Sequence, residues 1–474
     1  MMTARVVYTT SSFTSAEMPS RCGDDCYSYY FVQRAFLPLL KRWGEVRELA
    51  QPAELDEAVA EARLRHPAPV HLSFLPPQYM PLAADAPNIA FPFWEYPDIP
   101  DYDVAGHANN NWLRLAERLD SLVTACRFTR DAFVRAGVRV PMSIVPVPIA
   151  EPYFSLPSWQ PDQKGTLECP CYVLPQPDAP RRTLATVALS AARKARQRLV
   201  VGYRQRIRPH LPVAVHRRLA SAGRGLAPAN EPRAEVRFPI VFAPSERLDL
   251  SGVVYTSIFN PFDIRKDWRT LVERFLRALS DRDDALLVLK LAVSRTMRQE
   301  GLHNLFSFYQ RLRVRHRCRV AVVAEYLSDE EMLKLAGAST YYLNTSKAEG
   351  LCMPLQDALA AGRPGIAPAH TAMAEYVDER LAFVVPSRDE PTYWPWDPEQ
   401  RLTTSWRRLD ARRLTAQIRE SYRVARHDLP RYREMSACGR ERMRELASAE
   451  KVWPKLNDAL TRAVQRNGWE LQAA

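Results

Sequence analysis

Short β-like runs alternate with amphipathic helical stretches along this chain, and the alternation runs twice. Few architectures fit that pattern. A strand, a helix and a further strand of the same sheet, repeated, build a parallel doubly wound sheet with helices on both faces. In the first half, strands are expected at 5–10, 45–49, 70–75, 88–94, 121–125 and 143–146, and helices at 25–43, 55–65, 112–119 and 129–136. Pro-rich sequence fills 148–180. The alternation restarts near Gly252, with strands at 253–259, 285–291, 319–324, 341–344 and 365–367 and helices at 268–279, 302–314, 328–336 and 353–361. The capping box Ser328-x-x-Glu331 opens the helix at 328. Helical sequence then fills 410–468. The reading is α/β: two doubly wound domains over 1–165 and 246–425, joined by a Pro-rich and Arg-rich link over 166–245 and followed by helices over 426–474. Ligands of such sheets sit at the carboxyl ends of the strands.

Composition removes other classes. Apolar residues make up 46% and charged residues 25%, so a packed core forms and global disorder is excluded. The 38 prolines and 16 glycines follow no repeat, which excludes collagen-like and solenoid chains. No apolar run reaches the ~18–20 residues of a membrane span, and the start has no charged-then-apolar signal. Eight cysteines form no CxxC pair, so no zinc site or disulfide framework is expected, and a reducing cytoplasm is.

The net charge of +12 comes from 66 Lys and Arg against 54 Asp and Glu. Twelve of the basic residues lie between Arg181 and Arg224, with no acid among them, so this segment carries the whole excess. A nucleic-acid footprint would interleave aromatic residues for stacking, and only Tyr203 is present, so no nucleic-acid partner is expected. Leu184, Val187, Ala191, Ala195 and Leu199 recur at steps of three and four among the basic residues, as an interfacial helix requires. Gly202, Pro209 and Pro212 break the stretch. A peripheral protein on the inner leaflet of the plasma membrane is the expectation, with a solvated linker face as the alternative.

The stretch from Tyr341 to Gly365, YYLNTSKAEGLCMPLQDALAAGRPG, carries the most chemistry. An apolar strand ends, a loop presents Glu349 and Gly350, and a helix begins near Pro354. The unpaired N–H groups of a helix start attract anions and sugar hydroxyls. Asp357 lies about one turn into the helix, so both carboxylates can reach the crevice. A carboxylate beside polyol hydroxyls accepts two hydrogen bonds at once. Two Asp-x-Asp triplets, at 101–103 and 281–283, fit a metal-diphosphate pattern, but neither follows an apolar strand, and no metal is required.

Residues 349–364, EGLCMPLQDALAAGRP, resemble the EGFGLPxxEAMAxGxP signature of retaining GT-B glycosyltransferases of the family-4 type, with Asp357 in place of its second Glu and Cys352 in place of a Gly. Residues 257–268, SIFNPFDIRKDW, resemble the family's basic loop before the first helix of the second domain, where cations hold the donor diphosphate. In the first domain, 19–25 follow the first strand as the family's Gly-rich loop does, with one Gly left, and Phe93-Trp94-Glu95-Tyr96 with Pro97 and Pro100 resembles a W-E-x-x-x-x-P segment of polysaccharide-making members. Residues 122–128 and 145–148 resemble the strands and exits that follow. The likeness spans about 5–150 and 250–390, and it implies the GT-B fold: two Rossmann-like domains facing across a cleft, a basic helical insert between them, and the helices of 426–474 packing back on the first domain.

The resemblance implies transfer of a sugar, with retention, from a nucleotide-diphosphate donor to a hydroxyl. Glu349 would bind the donor sugar, the main-chain N–H groups of Gly350, Leu351, Cys352 and Met353 its hydroxyls, and Asp357 the ribose. Arg265 and Lys266 would neutralise the diphosphate, with Lys266 favoured, Asn260 on the same loop and Lys290 as a third cation. Tyr326 sits where the family lines the base. Glu95, Asp24 and His107 are the acceptor-side candidates. No cofactor beyond the donor substrate is implied. With the basic segment, a lipid-linked or oligosaccharide acceptor of bacterial surface-polysaccharide or lipopolysaccharide synthesis is expected. The alternatives are a non-catalytic sugar-nucleotide-binding subunit of a membrane assembly and an epimerase on the same fold. The picture is of Glu349 and the two cations facing each other across an interdomain slot.

Overall fold

The structure, a computed structural model, describes residues 5–11, 13–49, 52–65, 68–175, 215 and 244–467. The first domain is a six-stranded parallel sheet of β1 (Arg5–Thr10), β2 (Glu45–Leu49), β3 (Ala68–Ser73), β4 (Asn88–Ala90), β5 (Ser121–Thr124) and β6 (Met142–Ile144), in the order β2-β1-β3-β4-β5-β6. Its helices are α1 (Met18–Arg21), α2 (Tyr27–Trp43), α3 (Leu55–Arg65), α4 (Trp112–Ala116) and α5 (Arg127–Arg135). Spacing at three and four residues puts Val32, Phe36, Leu39, Leu40 and Trp43 of α2 on one buried face, with Phe36 stacked on Phe74.

The chain then makes α6 (Glu151–Phe154), β7 (Lys164–Leu167), β8 (Tyr172–Val173) and β9 (Leu248–Ser251). The second domain follows: β10 (Val253–Phe259), α7 (Trp268–Ala278), β11 (Ala285–Leu291), α8 (Arg298–Leu312), β12 (Arg319–Val323), α9 (Asp329–Ala338), β13 (Tyr341–Leu343), α10 (Met353–Ala360), β14 (Gly365–Ala367) and β15 (Ala382–Val384). Its sheet runs β15-β14-β13-β10-β11-β12-β8, parallel except for β8 at the edge. All seven residues of β11 are buried, as a parallel strand covered on both faces requires. The capping box at α9 forms in both directions: Glu331 N donates to Ser328 Oγ, and Ser328 N donates to Glu331 Oε2 at 2.7 Å.

Three sequence expectations change in detail. The strand expected at 88–94 stops at Ala90, because Pro92 has no N–H for the ladder, and Phe93–Tyr96 turn out of the sheet. The helical stretch at 410–468 is three helices, α11 (Ala411–His427), α12 (Leu429–Ala447) and α13 (Ala449–Arg466), broken where Asp428 and Ser448 cap the helix that follows. A hairpin absent from the alternation, β16 (Ser387–Tyr393) and β17 (Thr403–Leu409), precedes them. Residues on both sides of the basic segment pack with the second domain: β7 pairs with β9, and Trp159 lies in the second domain's core. The last helix crosses back, so that Val452, Leu456, Leu460 and Val464 share the core of the first domain. The basic segment 181–224, expected to present an interfacial face, lies outside the described residues except for Val215. Among the described residues no helix is long and apolar enough to cross a membrane.

In each sheet the strand order reverses beside the first strand, between β1 and β3 and between β10 and β13. The loops after these strands line one shared cavity of about 1650 Å³ between the domains. The domains touch through residues that line it. Asn260 Nδ2 donates to Gly23 O at 2.8 Å, and Arg34 pairs with Asp329 at 2.8 Å. Gly23 stands at φ +103° with Ala292 O 2.5 Å from where a Cβ would be, so the first domain's loop fits here only as glycine.

Candidate active site

Two loops build the charged part of the cavity. After β10 the chain turns through Asn260, whose Oδ1 accepts from Phe262 N at 2.9 Å. Asp263 then caps a 3-10 turn, Ile264–Lys266, by accepting from Arg265 N at 3.0 Å. After β13, Asn344 ties its own loop together: Oδ1 accepts from Ser346 N at 2.6 Å, and Nδ2 donates to Cys352 Sγ at 3.0 Å. The loops are stitched to each other, since Lys347 N donates to Arg265 O at 2.7 Å and Thr345 Oγ1 to Lys266 O at 3.0 Å. Because β10 and β13 are sheet neighbours, residues 83 apart in sequence meet: Lys266 Nζ donates to Glu349 Oε1 at 2.6 Å.

This corrects one expectation. Glu349 and Lys266 do not face each other across the slot. Both belong to the second domain and form one buried ion pair on its wall, with 6% and 20% of their side-chain surfaces exposed. Burial raises the Glu349 carboxyl, but Lys266 and Arg265 more than offset this and hold it below its usual value. For Lys266 burial acts downward, but Glu349, with Asp263 and Cys352 adding to it, raises the ammonium above its usual value, so it stays charged.

Arg265 also points inward, and its charge is already taken. It lies 2.6 Å from Asp263 and 3.1 Å from Glu95, and donates to Ala348 O at 3.2 Å. Glu95 comes from the first domain, so this ion pair spans the slot. Burial lifts the Glu95 carboxyl, with Arg265 pulling against it. Asp263, which completes the cluster, stands within the basic-loop motif but was not singled out from the sequence.

The signature positions line the same cavity. Cys352 stands at the N-cap of α10 in the left-handed conformation, φ 67°, which glycine adopts at least cost. Gly350 packs against the first domain, with Trp94 N and O each 3.2 Å from where a Cβ would stand. Leu351, Met353 and Asp357 also line the cavity. Burial pushes the Asp357 carboxyl up to about 7, with Arg34 opposing. Lys290 lies at the end of β11, buried, with Nζ donating to Leu291 O at 2.9 Å; burial lowers its pKa. Tyr326 and Asn260 are in the lining as well.

Of the acceptor-side candidates, Glu95 and Asp24 line the cavity, Asp24 beside Arg21 at 3.3 Å. His107 does not: it is exposed on a loop whose neighbours Ala105 and Asn110 reach the cavity instead. The two Asp-x-Asp triplets engage arginines, Asp103 with Arg114 at 3.4 Å and Asp283 with Arg317 at 2.5 Å.

No family model matches the chain, and no curated protein sequence matches it. Solved structures do match in fold. Sucrose-phosphate synthase from Thermosynechococcus elongatus superposes with a TM-score of 0.51 at 12% identity, over 98% of this chain and 100% of that one. A glycosyltransferase from Rickettsia africae gives 0.50 at 10% identity, over 98% and 99%. The N-terminal domain of Candida albicans trehalose-6-phosphate phosphatase gives 0.52 at 9% identity, over 98% and 97%. At these identities the likeness establishes the fold, the two facing Rossmann-like domains of GT-B glycosyltransferases.

Proposed function

We propose that this protein is a retaining glycosyltransferase that moves a hexosyl group from a nucleotide-diphosphate donor to a hydroxyl of a lipid-linked or oligosaccharide acceptor. The observation that carries the reading is the buried Lys266–Glu349 pair at the switch point of the second sheet, opening into the interdomain cavity. Donor cleavage builds negative charge on the leaving diphosphate, and a fixed cation in a dry cleft stabilises it. Lys266 suits that task better than Arg265. Its ammonium has three donors, and Glu349 accepts from it at one oxygen, so phosphate and carboxylate can share it. The ionised Glu349 in turn accepts from hydroxyls of the donor sugar. Arg265, held by Asp263 and Glu95, draws the first domain against the second instead. Asp357, one turn into α10, would hold the ribose, Lys290 would add a second cation at the phosphates, and Tyr326 would flank the base.

Retention rests on the signature over 349–364, and the inner-leaflet setting and surface-polysaccharide role on the basic segment 181–224. The names of the solved neighbours, a glycosyltransferase and a synthase of a sugar phosphate, agree with glycosyl transfer. The test is release of nucleoside diphosphate from UDP-, GDP-, ADP- and dTDP-sugars, with and without acceptor. Slow release from one donor is expected. Binding of a donor without release or transfer would replace this reading with that of a sugar-nucleotide-binding subunit, and conversion of the donor sugar alone with that of an epimerase.

A further inference from the structure

The cavity also has an aromatic lining, and part of it comes from an unexpected place. The β16–β17 hairpin belongs to the second domain but docks its tip on the first. Leu402 lies in a core cluster with Trp94, Tyr96, Ile99 and Trp112. Trp394 packs on Trp94 at 5.5 Å between ring centroids, and Trp94 on Trp112 at 4.6 Å. Asp397, 2% exposed, pins the tip: it accepts from Tyr102 OH of the first domain at 2.5 Å and from Leu402 N at 2.9 Å. Thr404 Oγ1 donates to Asp98 of the first domain at 2.9 Å.

Beside that buried anchor stands Trp396, 60% exposed and lining the cavity. Tyr79, also 60% exposed, lines the same cavity from the turn after β3. The turn is fixed by its neighbour Gln78, whose Oε1 accepts from Trp112 Nε1 at 2.8 Å. Two large aromatic rings thus stay bare on backbone that is held in place. Such rings offer wide, rigid contact area at little entropic cost on binding. A pyranose ring matches them: its C–H face meets the negative face of an aromatic ring, while its hydroxyls reach amides and carboxylates at the rim. Gln78 beside Tyr79, and Asn110 on the turn packed against it, supply those groups in the lining.

We propose that Trp396 and Tyr79 each offer a stacking face for a sugar ring of the acceptor, so that the acceptor is a saccharide held between the first domain and a hairpin lent by the second. This rests on the glycosyltransferase reading above, narrows its acceptor to one gripped by a sugar ring, and names the contacts. The substitutions Trp396→Ala and Tyr79→Ala remove exposed rings and leave the packed Trp94, Trp112 and Trp394 in place. Trp396→Phe keeps a ring.

The test uses saturation-transfer NMR on the full chain with a panel of free trisaccharides and, separately, with glycerol and with phosphatidylglycerol vesicles, alongside titration with the nucleoside diphosphates. One trisaccharide is expected to bind through the C–H protons of a ring. Its affinity should fall about tenfold or more in Trp396→Ala and in Tyr79→Ala, and much less in Trp396→Phe, with nucleotide affinity unchanged in all three. No trisaccharide binding, binding untouched by both alanine variants, or binding of vesicles alone in this cavity overturns the stacking faces. Trisaccharide binding without binding of any nucleotide leaves the stacking faces standing and removes the glycosyltransferase reading instead.

Discussion

The two walls of the cavity solve different physical problems. One, built by the loops after β10 and β13, is charged and already paired: Lys266 on Glu349, Arg265 on Asp263 and, across the slot, on Glu95 of the first domain. The other, built by Tyr79 and the hairpin tip, is aromatic and open. A buried charge without a partner costs several kcal/mol, so the charged wall has to pair internally until a ligand offers something better. An exposed ring forfeits only about 25 cal/mol per Å² of unburied surface, so the aromatic wall can wait bare. The charged wall is therefore pre-paired and the aromatic wall pre-positioned.

The largest effect should come from unpairing the charged wall. Lys266→Ala and Glu349→Ala are each expected to lower turnover by about 100-fold or more, roughly 2.7 kcal/mol of barrier. Each also strands a buried partner, at about 3–5 kcal/mol of stability. The double variant Lys266→Met with Glu349→Gln should recover most of that stability and none of the turnover. Urea midpoints and kcat separate the two losses, and a double variant as unstable as the singles would contradict the pairing.

A smaller effect is expected where the walls meet. In Gly350→Ala the new methyl would press on the backbone of Trp94, 3.2 Å away, for about 1–3 kcal/mol of overpacking. Thermal unfolding checks this; a midpoint equal to wild type would mean that the seam yields freely.

Next comes a pH dependence. The folded state holds the Asp357 proton up to about 7, whereas the unfolded chain releases it near 3.8. The folded state thus binds more protons between those values, and this contribution to stability is whole below 3.8 and lost as pH rises through about 7. Asp357→Asn should flatten the fall of the urea midpoint between pH 4 and about 7. An unchanged slope would assign it to other groups. If the carboxylate form binds ribose, nucleotide affinity in the wild type should rise with pH through the same range.

The smallest effect is expected at His107, exposed and outside the lining. His107→Ala should change stability by less than about 0.5 kcal/mol and leave turnover at the wild-type rate.

The charged wall was legible in the sequence because its residues sit in contiguous motifs at strand ends. Glu349, Gly350, Cys352 and Asp357 follow one apolar strand, and Asn260, Arg265 and Lys266 another. Their mutual contact was not legible. That Lys266 lies against Glu349 rather than opposite it follows from β10 and β13 being sheet neighbours, which strand periodicity does not encode. Asp263 went unnoticed because a carboxylate beside two cations in a loop reads as ordinary solvated charge. The aromatic wall had no motif at all. Trp394, Trp396 and Asp397 fall in a Pro-rich stretch after the alternating pattern ends, and only the hairpin's crossing to the first domain gives them a role.

Alternating apolar and amphipathic runs by themselves determined two doubly wound domains, because burying one face of a helix and both faces of a parallel strand leaves few other arrangements. Local chemistry likewise determined the α9 capping box and the strand-loop-helix corner at Glu349. Only the tertiary structure decided which charges neutralise one another, that Arg265 joins the domains through Glu95, and that a hairpin of one domain completes the wall of the other. Those outcomes depend on distances between segments far apart in the chain, and in a low-dielectric cleft such distances decide whether a charge is a binding group or already spent.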